Sequence, residues 1–253
     1  YGVQKAALAK IDDQSLLARF ARSSDDRFIA DEAVKRLTDN AVIDEIARNG
    51  KHARWSAIEK TTNEKILEEI ARIDPDHDIR LRVIKRLTNQ PLLAELAKTV
   101  TCTGVYAAFT ELVEKSFSPA GPDAEGYTGW AHIHSMRMAA VSRITYQNAL
   151  ADVLYGFIND RGERWGWEVP KSAAGRLRDQ DHLKKVITSL TALGPEISSV
   201  DTVLCAAIEQ LTDKNFLAQL MTSGALSHFT LGHHAHRTAE RNLQELNQKA
   251  SEE

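Results

Sequence analysis

The sequence predicts an all-α chain: an α-solenoid of about seven to eight stacked helix pairs. Three observations carry that expectation. A segment of about fifteen residues recurs along the chain. The 253 residues hold 33 Ala and 25 Leu against 13 Gly and 6 Pro, a composition that favours helices over a many-turned β-sandwich. Within each recurrence the apolar positions fall at helical spacing, not at a strand's alternation.

The repeat begins ALAKIDDQSLLARFA at Ala7 and returns as AVKRLTDNAVIDEIA at Ala33, AIEKTTNEKILEEIA at Ala57 and VIKRLTNQPLLAELA at Val83. Later copies are AVSRITYQNALADVL at Ala140, AAGRLRDQDHLKKVI at Ala173 and AIEQLTDKNFLAQLM at Ala207, with a truncated eighth at Ala239. Each copy reads as the end of a first helix, a tight turn and a second helix. The fifth position is the anchor: Ile11, Leu37, Thr61, Leu87, Ile144, Leu177, Leu211 and Leu243, apolar in seven of eight copies. Six positions on stand Leu17, Ile43, Leu67, Leu93, Leu150, Leu183 and Leu217. Nine positions on stand Phe20, Ile46, Ile70, Leu96, Val153, Val186 and Leu220. Together these make one apolar helix face.

At the turn, Thr38-Asp39, Thr62-Asn63, Thr88-Asn89 and Thr212-Asp213 offer side-chain oxygens to the first N–H groups of the second helix. Pro91 stands in a first turn, where its missing N–H costs little. Asp74-Pro75-Asp76 makes the other connection, from a second helix to the next first helix. One helix pair cannot bury its apolar face alone, so the copies are expected to stack. The expectation is a single solenoid domain over 1–253: regular repeats over 6–99, an irregular insertion over about 100–138, and looser repeats over 139–253. The 57-residue gap between the copies at Val83 and Ala140 holds either an insertion or a decayed unit whose helix is Tyr106 to Lys115.

The segment DPDHDIRLRVIKRL from Asp74 resembles the second helix of a HEAT-like repeat, with its Asp-Pro turn, Arg80 and apolar ladder. The short unit also resembles leucine-rich-variant repeats and repeats of some bacterial proteins. The Arg80 place is matched by Arg54 and Arg137 and departs at Ala30, Pro170 and Leu204. The resemblance implies a scaffold or binding role and no particular chemistry.

Charge narrows the function classes. The net charge is −3, without the basic excess of a non-specific nucleic-acid binder. No apolar run approaches a membrane span. Cys102 and Cys205 stand alone, which gives no disulfide framework and no CxxC metal pair and suits a reducing, cytoplasmic setting. The chain starts at Tyr1, which suggests a processed product. GxSxG, GxxxxGK[ST], GxGxxG, HExxH and the His-Glu dipeptide are missing, so no enzyme activity, cofactor or metal is expected. His132, His134, His228, His233, His234 and His236 are expected to be connection residues rather than ligands.

Two sets of residues are candidates for binding. Lys10, Arg36, Lys60, Arg86, Arg143 and Arg176 each precede an anchor and would line up as a stripe for phosphates or an acidic partner. The structural alternative, which the helix register favours, is that they cap helix C-termini and pair with Glu45, Glu69, Glu95 and Asp152. The second set lies in the interruptions. Residues 117–135 hold Tyr127 and Trp130, and residues 156–170 hold Arg161, Arg164, Trp165 and Trp167 among glycines. Trp, Tyr and Arg on loops suit a protein partner's contact surface, although such rings also serve as core patches. The expected function is a non-enzymatic protein–protein interaction or scaffold module. Nucleic-acid binding, to the DNA backbone or a damaged base, is the alternative.

Overall fold

The computed structural model describes Leu8 and residues 10–99, 124–160, 167–194, 198–227 and 234–252. These form fourteen helices and no strand. In chain order they are α1 Gln14–Ser23, α2 Arg27–Arg36, α3 Asn40–Asn49, α4 Arg54–Lys60, α5 Glu64–Ile73, α6 His77–Ile84 and α7 Gln90–Thr99. There follow α8 Ala124–Arg143, α9 Gln147–Asn159, α10 Glu168–Ala174, α11 Gln180–Leu193, α12 Ser198–Ile208, α13 Lys214–Thr222 and α14 His234–Glu252. Odd-numbered helices are the second helices of copies 1 to 7, and even-numbered ones are first helices of copies 2 to 8.

The predicted turns form where an acid caps the new helix. The Asp13 carboxylate accepts from Ser15 and Leu16 N–H, Asp39 from Ala41 and Val42, Asp179 from His182 and Asp213 from Phe216. Asp26 and Asp76 do the same for the first helices α2 and α6. At α7 the Asn89 side chain caps in the same way, accepting from Leu92 N–H, while the Thr38 hydroxyl turns to Gln14. Asn63 departs from the expectation and gives α5 no side-chain cap. α11 ends at Gly194, whose φ of 79° lies in the left-handed region that glycine adopts without strain.

The chain divides into two compact units, residues 1–87 and 88–253. In the first, second helices α1, α3 and α5 touch in sequence and first helices α2 and α4 touch likewise, while α1–α2, α3–α4 and α5–α6 pack as pairs. In the second, α8, α10, α12 and α14 make one such row and α7, α9 and α11 another. The pairs there are α7–α8, α9–α10, α11–α12 and α13–α14. Each strong pair joins the second helix of one copy to the first helix of the next.

The apolar ladder faces inward as the spacing predicts. Anchors Leu37, Leu87, Ile144, Leu177 and Leu211 are buried, as are Ile43, Leu67, Leu93, Leu150, Leu183 and Leu217. At the ends of the series Ile11 and Leu243 are half-exposed. α14 also runs unbroken through Leu243, because Gln244-Glu245 replaces the Thr-Asp turn.

On the two sides of the long gap, α7 packs directly on α8 and α9, so the described helices of copies 4 and 5 are neighbours. The candidate helix Tyr106–Lys115 lies outside the described residues. The interruption ends earlier than 138. α8 starts at Ala124 and places Tyr127 and Trp130 on helical backbone, not in a loop. Burial of Ile133, Met136, Ala139 and Ala140 anchors its C-terminal half. From that nucleus the helix extends through Gly126 and Gly129 at a cost of about 1 kcal/mol for each glycine.

Truncating Leu87 tests the ladder. Leu87→Ala is expected to cost about 2–5 kcal/mol in urea denaturation. The loss of hydrogen-exchange protection should concentrate in α6 and its neighbours in the first unit.

Candidate functional site

The residue before each anchor does one job in copy after copy. The Arg36 guanidinium donates to the Leu8 carbonyl and pairs with Asp12 at 2.8 Å. The Lys60 ammonium donates to the Val34 and Lys35 carbonyls, Arg86 to those of Ile58 and Thr61, and Arg176 to those of Val141 and Ile144. In copy 8 the Asn242 amide reaches the Ile208 and Leu211 carbonyls at 2.7 and 2.9 Å. Counted in each copy's register, Arg86, Arg176 and Asn242 reach the preceding copy's anchor and the residue three before it. These carbonyls lie in the last turn of a first helix, where the i+4 donors run out; those of Leu8, Val34, Val141 and Ile208 also accept from the anchor N–H three residues on. The stripe is thus a set of interlayer C-caps. Burial lowers the pKa of both Lys60 and Arg86. Arg143 is exposed at the end of α8, and its own carbonyl accepts from Gln90.

The expected pairing of this stripe with the acidic ladder is corrected by the geometry. Glu45 pairs with Arg22, Glu69 with Arg48 and Asp152 with Lys98. Each cation stands eleven positions after its own anchor, and each acid eight after the next copy's anchor. Glu45, Glu69 and Asp152 are thus met by a second set of cations. The Arg22 guanidinium holds the Glu45 carboxyl below the usual carboxylate range.

Sequence reasoning missed a glutamine series three positions after the anchor. The Gln14 side chain donates to the Arg36 carbonyl and accepts from Thr38 N–H. Gln90 donates to the Arg143 carbonyl and accepts from Thr145 N–H, and Gln180 bridges the Gln210 carbonyl and Thr212 N–H in the same way. Gln147 accepts from the Arg178 and Asp179 N–H groups. The signal was present as four glutamines at one register position.

The aromatic candidates divide. Trp165, Arg161 and Arg164 lie outside the described residues. Trp167 precedes the first turn of α10 and is 44% exposed, with the Lys171 ammonium 5.0 Å from its ring centroid. In the first unit Arg82 stacks over Trp55 at 4.7 Å and pairs with Glu59. Tyr146, 65% exposed, occupies the place where other copies have the capping Asp.

For the histidines, His132 and His134 lie on α8, while His234 and His236 lie in the first turn of α14; His228 and His233 lie outside the described residues. No group of three His, Cys, Asp or Glu side chains able to hold a metal occurs among the described residues. Between α12 and α14, Asp201 accepts from Ala235 N–H at the start of α14, and burial raises its carboxyl pKa despite nearby His234. Burial pushes the Cys205 thiol up to about 11, against a hydrogen bond with Thr238.

No protein-family model matches the chain, and neither a curated protein nor a solved structure was found to match it. The HEAT-like resemblance therefore rests on the residues alone.

Two predictions follow from these roles. Arg176→Met removes the side-chain donor from the Val141 and Ile144 carbonyls, of which Val141 keeps the Ile144 N–H, and should destabilise by about 1–3 kcal/mol, whereas Glu45→Gln removes an exposed pair and should cost at most about 1 kcal/mol in the same thermal melts. Iodoacetamide should leave Cys205 in the folded protein unmodified at pH 8 and label it only above about pH 10, read by peptide mass spectrometry.

Proposed function

We propose that the chain is a HEAT-like α-solenoid serving as a protein–protein interaction or scaffold module. The register-matched bonding from copy to copy carries this reading. A row of near-equivalent layers whose polar connections run to the next layer would offer an extended surface to a partner. The α7–α8 and α9–α10 connections depart from the repeat, and connections on a rigid frame are where partner contacts are commonly built. Half-exposed Trp167 marks one of them, and a tryptophan ring beside a lysine suits a contact hot spot.

The alternative, nucleic-acid binding, drew on the pre-anchor basic stripe. Four of its members, Arg36, Lys60, Arg86 and Arg176, are engaged with backbone carbonyls, which weakens that reading. Among the described residues no helix is long and apolar enough to cross a membrane.

Affinity capture with wild type and Trp167→Ala tests the proposal. The variant should bind the captured protein about 1–2 kcal/mol more weakly and melt at an unchanged temperature. Binding to DNA that falls steeply along a salt series, with no protein captured, would favour the alternative.

A further inference from the structure

We infer that the layer between copies 2 and 3 is a hinge, the place where the helix rows of the first unit open first. Thr61 is the one polar anchor, and it is nevertheless only 3% exposed. Its hydroxyl donates to one oxygen of the Asp44 carboxylate, and the Asn63 amide donates to the other at 2.6 Å. Asp44 stands seven positions after the anchor of copy 2. Copies 1, 4 and 5 hold buried alanines at that position, Ala18, Ala94 and Ala151, and the anchors that follow them are Leu37, Ile144 and Leu177. Glu68 and Lys184 hold that position in copies 3 and 6 with the aliphatic anchors Leu87 and Leu211 after them, so a polar residue there does not by itself bring a polar anchor; at the layer between copies 2 and 3 alone an Asp faces a buried Thr anchor. The same Asp explains why Asn63 does not cap α5: its side chain is directed back to copy 2.

The surroundings of this layer are weaker in the same direction. α4 has seven residues and no side-chain N-cap, whereas α2 and α6 are capped by Asp26 and Asp76. The pre-anchor residue is Lys60, with one ammonium where Arg86 offers a fork. The bonds of α4 to its neighbours are polar: Arg54 to the Ala47 carbonyl and Asp74, and Ser56 to Asp31 at 2.7 Å.

Opening an aliphatic layer exposes apolar surface that water cannot compensate. Asp44, Thr61 and Asn63 instead recover their hydrogen bonds from water, so opening costs less at this layer than at its neighbours. Buried Ala57, Ile58 and Leu67 keep the layer closed in the ground state. Copies 1 and 2 on one side and copy 3 with α6 on the other are the bodies the hinge divides.

Native-state hydrogen exchange on the full chain in low urea tests this. The Ala57 and Thr61 amides, which donate to the Ala53 and Ala57 carbonyls, should exchange at least about tenfold faster than those of Ala30 and Leu37 in α2 and its cap. The double variant Asp44→Ala with Thr61→Leu installs an alanine–aliphatic pair. It should slow Ala57 exchange about tenfold and leave α1 unchanged. Equal exchange of α2 and α4 in the wild type would overturn the inference. So would a folded double variant with unaltered Ala57 exchange. If the double variant does not fold, the wild-type comparison alone decides.

Discussion

A helix that stops leaves the carbonyls of its last turn short of donors, and copies 2 to 7 stop their first helix at or just before the anchor. Much of the polar bonding between layers satisfies those groups. A side chain one position before the next copy's anchor reaches back and donates to them: Arg36, Lys60, Arg86, Arg176 and finally Asn242. The apolar anchor beside it can be buried because its polar neighbour removes the unsatisfied carbonyls from the same interface. Hydrophobic burial supplies the driving force, and the C-cap fixes the register in which that burial occurs.

The glutamine series adds a second constraint at the same turn. A carboxamide both donates and accepts, so one Gln side chain satisfies a carbonyl before the next anchor and an N–H after it. Gln90 does this for copy 5 across 53 to 56 residues of sequence, with the same partners that Gln14 finds about 22 residues away. Layer geometry is therefore independent of the length of chain between layers. That independence is what allows a long gap between copies 4 and 5 without disturbing the stack of α7 on α9. It also explains why the pre-anchor cations make a poor phosphate stripe: their heads are turned inward by the carbonyls they cap.

Copy 3 shows how the pattern tolerates a departure. Its polar anchor would be costly if left alone, since a buried hydroxyl without a partner loses its hydration. Asp44 removes that cost and in turn receives Asn63. The three residues form a unit that satisfies itself and replaces apolar adhesion with exchangeable bonds.

Helix type, the position of each turn and the buried face were legible in the sequence, because all three depend on contacts within about ten residues. A 3.6-residue period sets the face, and Asp at the turn sets the cap. Leu37, Leu177 and Leu217 could be placed in the core on that basis. The partners of the charged residues were not legible. Arg36 and Glu45 lie close in sequence, yet the first faces Leu8 and the second faces Arg22, because the stacking of one copy on another, not local spacing, decides who meets whom. The fate of residues 124–138 was hidden for a related reason. Gly126 and Gly129 signal a break locally, but burial of the far end of α8 outweighs a cost of about 1 kcal/mol each. What the sequence by itself determined was the repeating unit. Tertiary structure decided how the units join, since the groups that join them come from neighbouring copies and are brought together by packing.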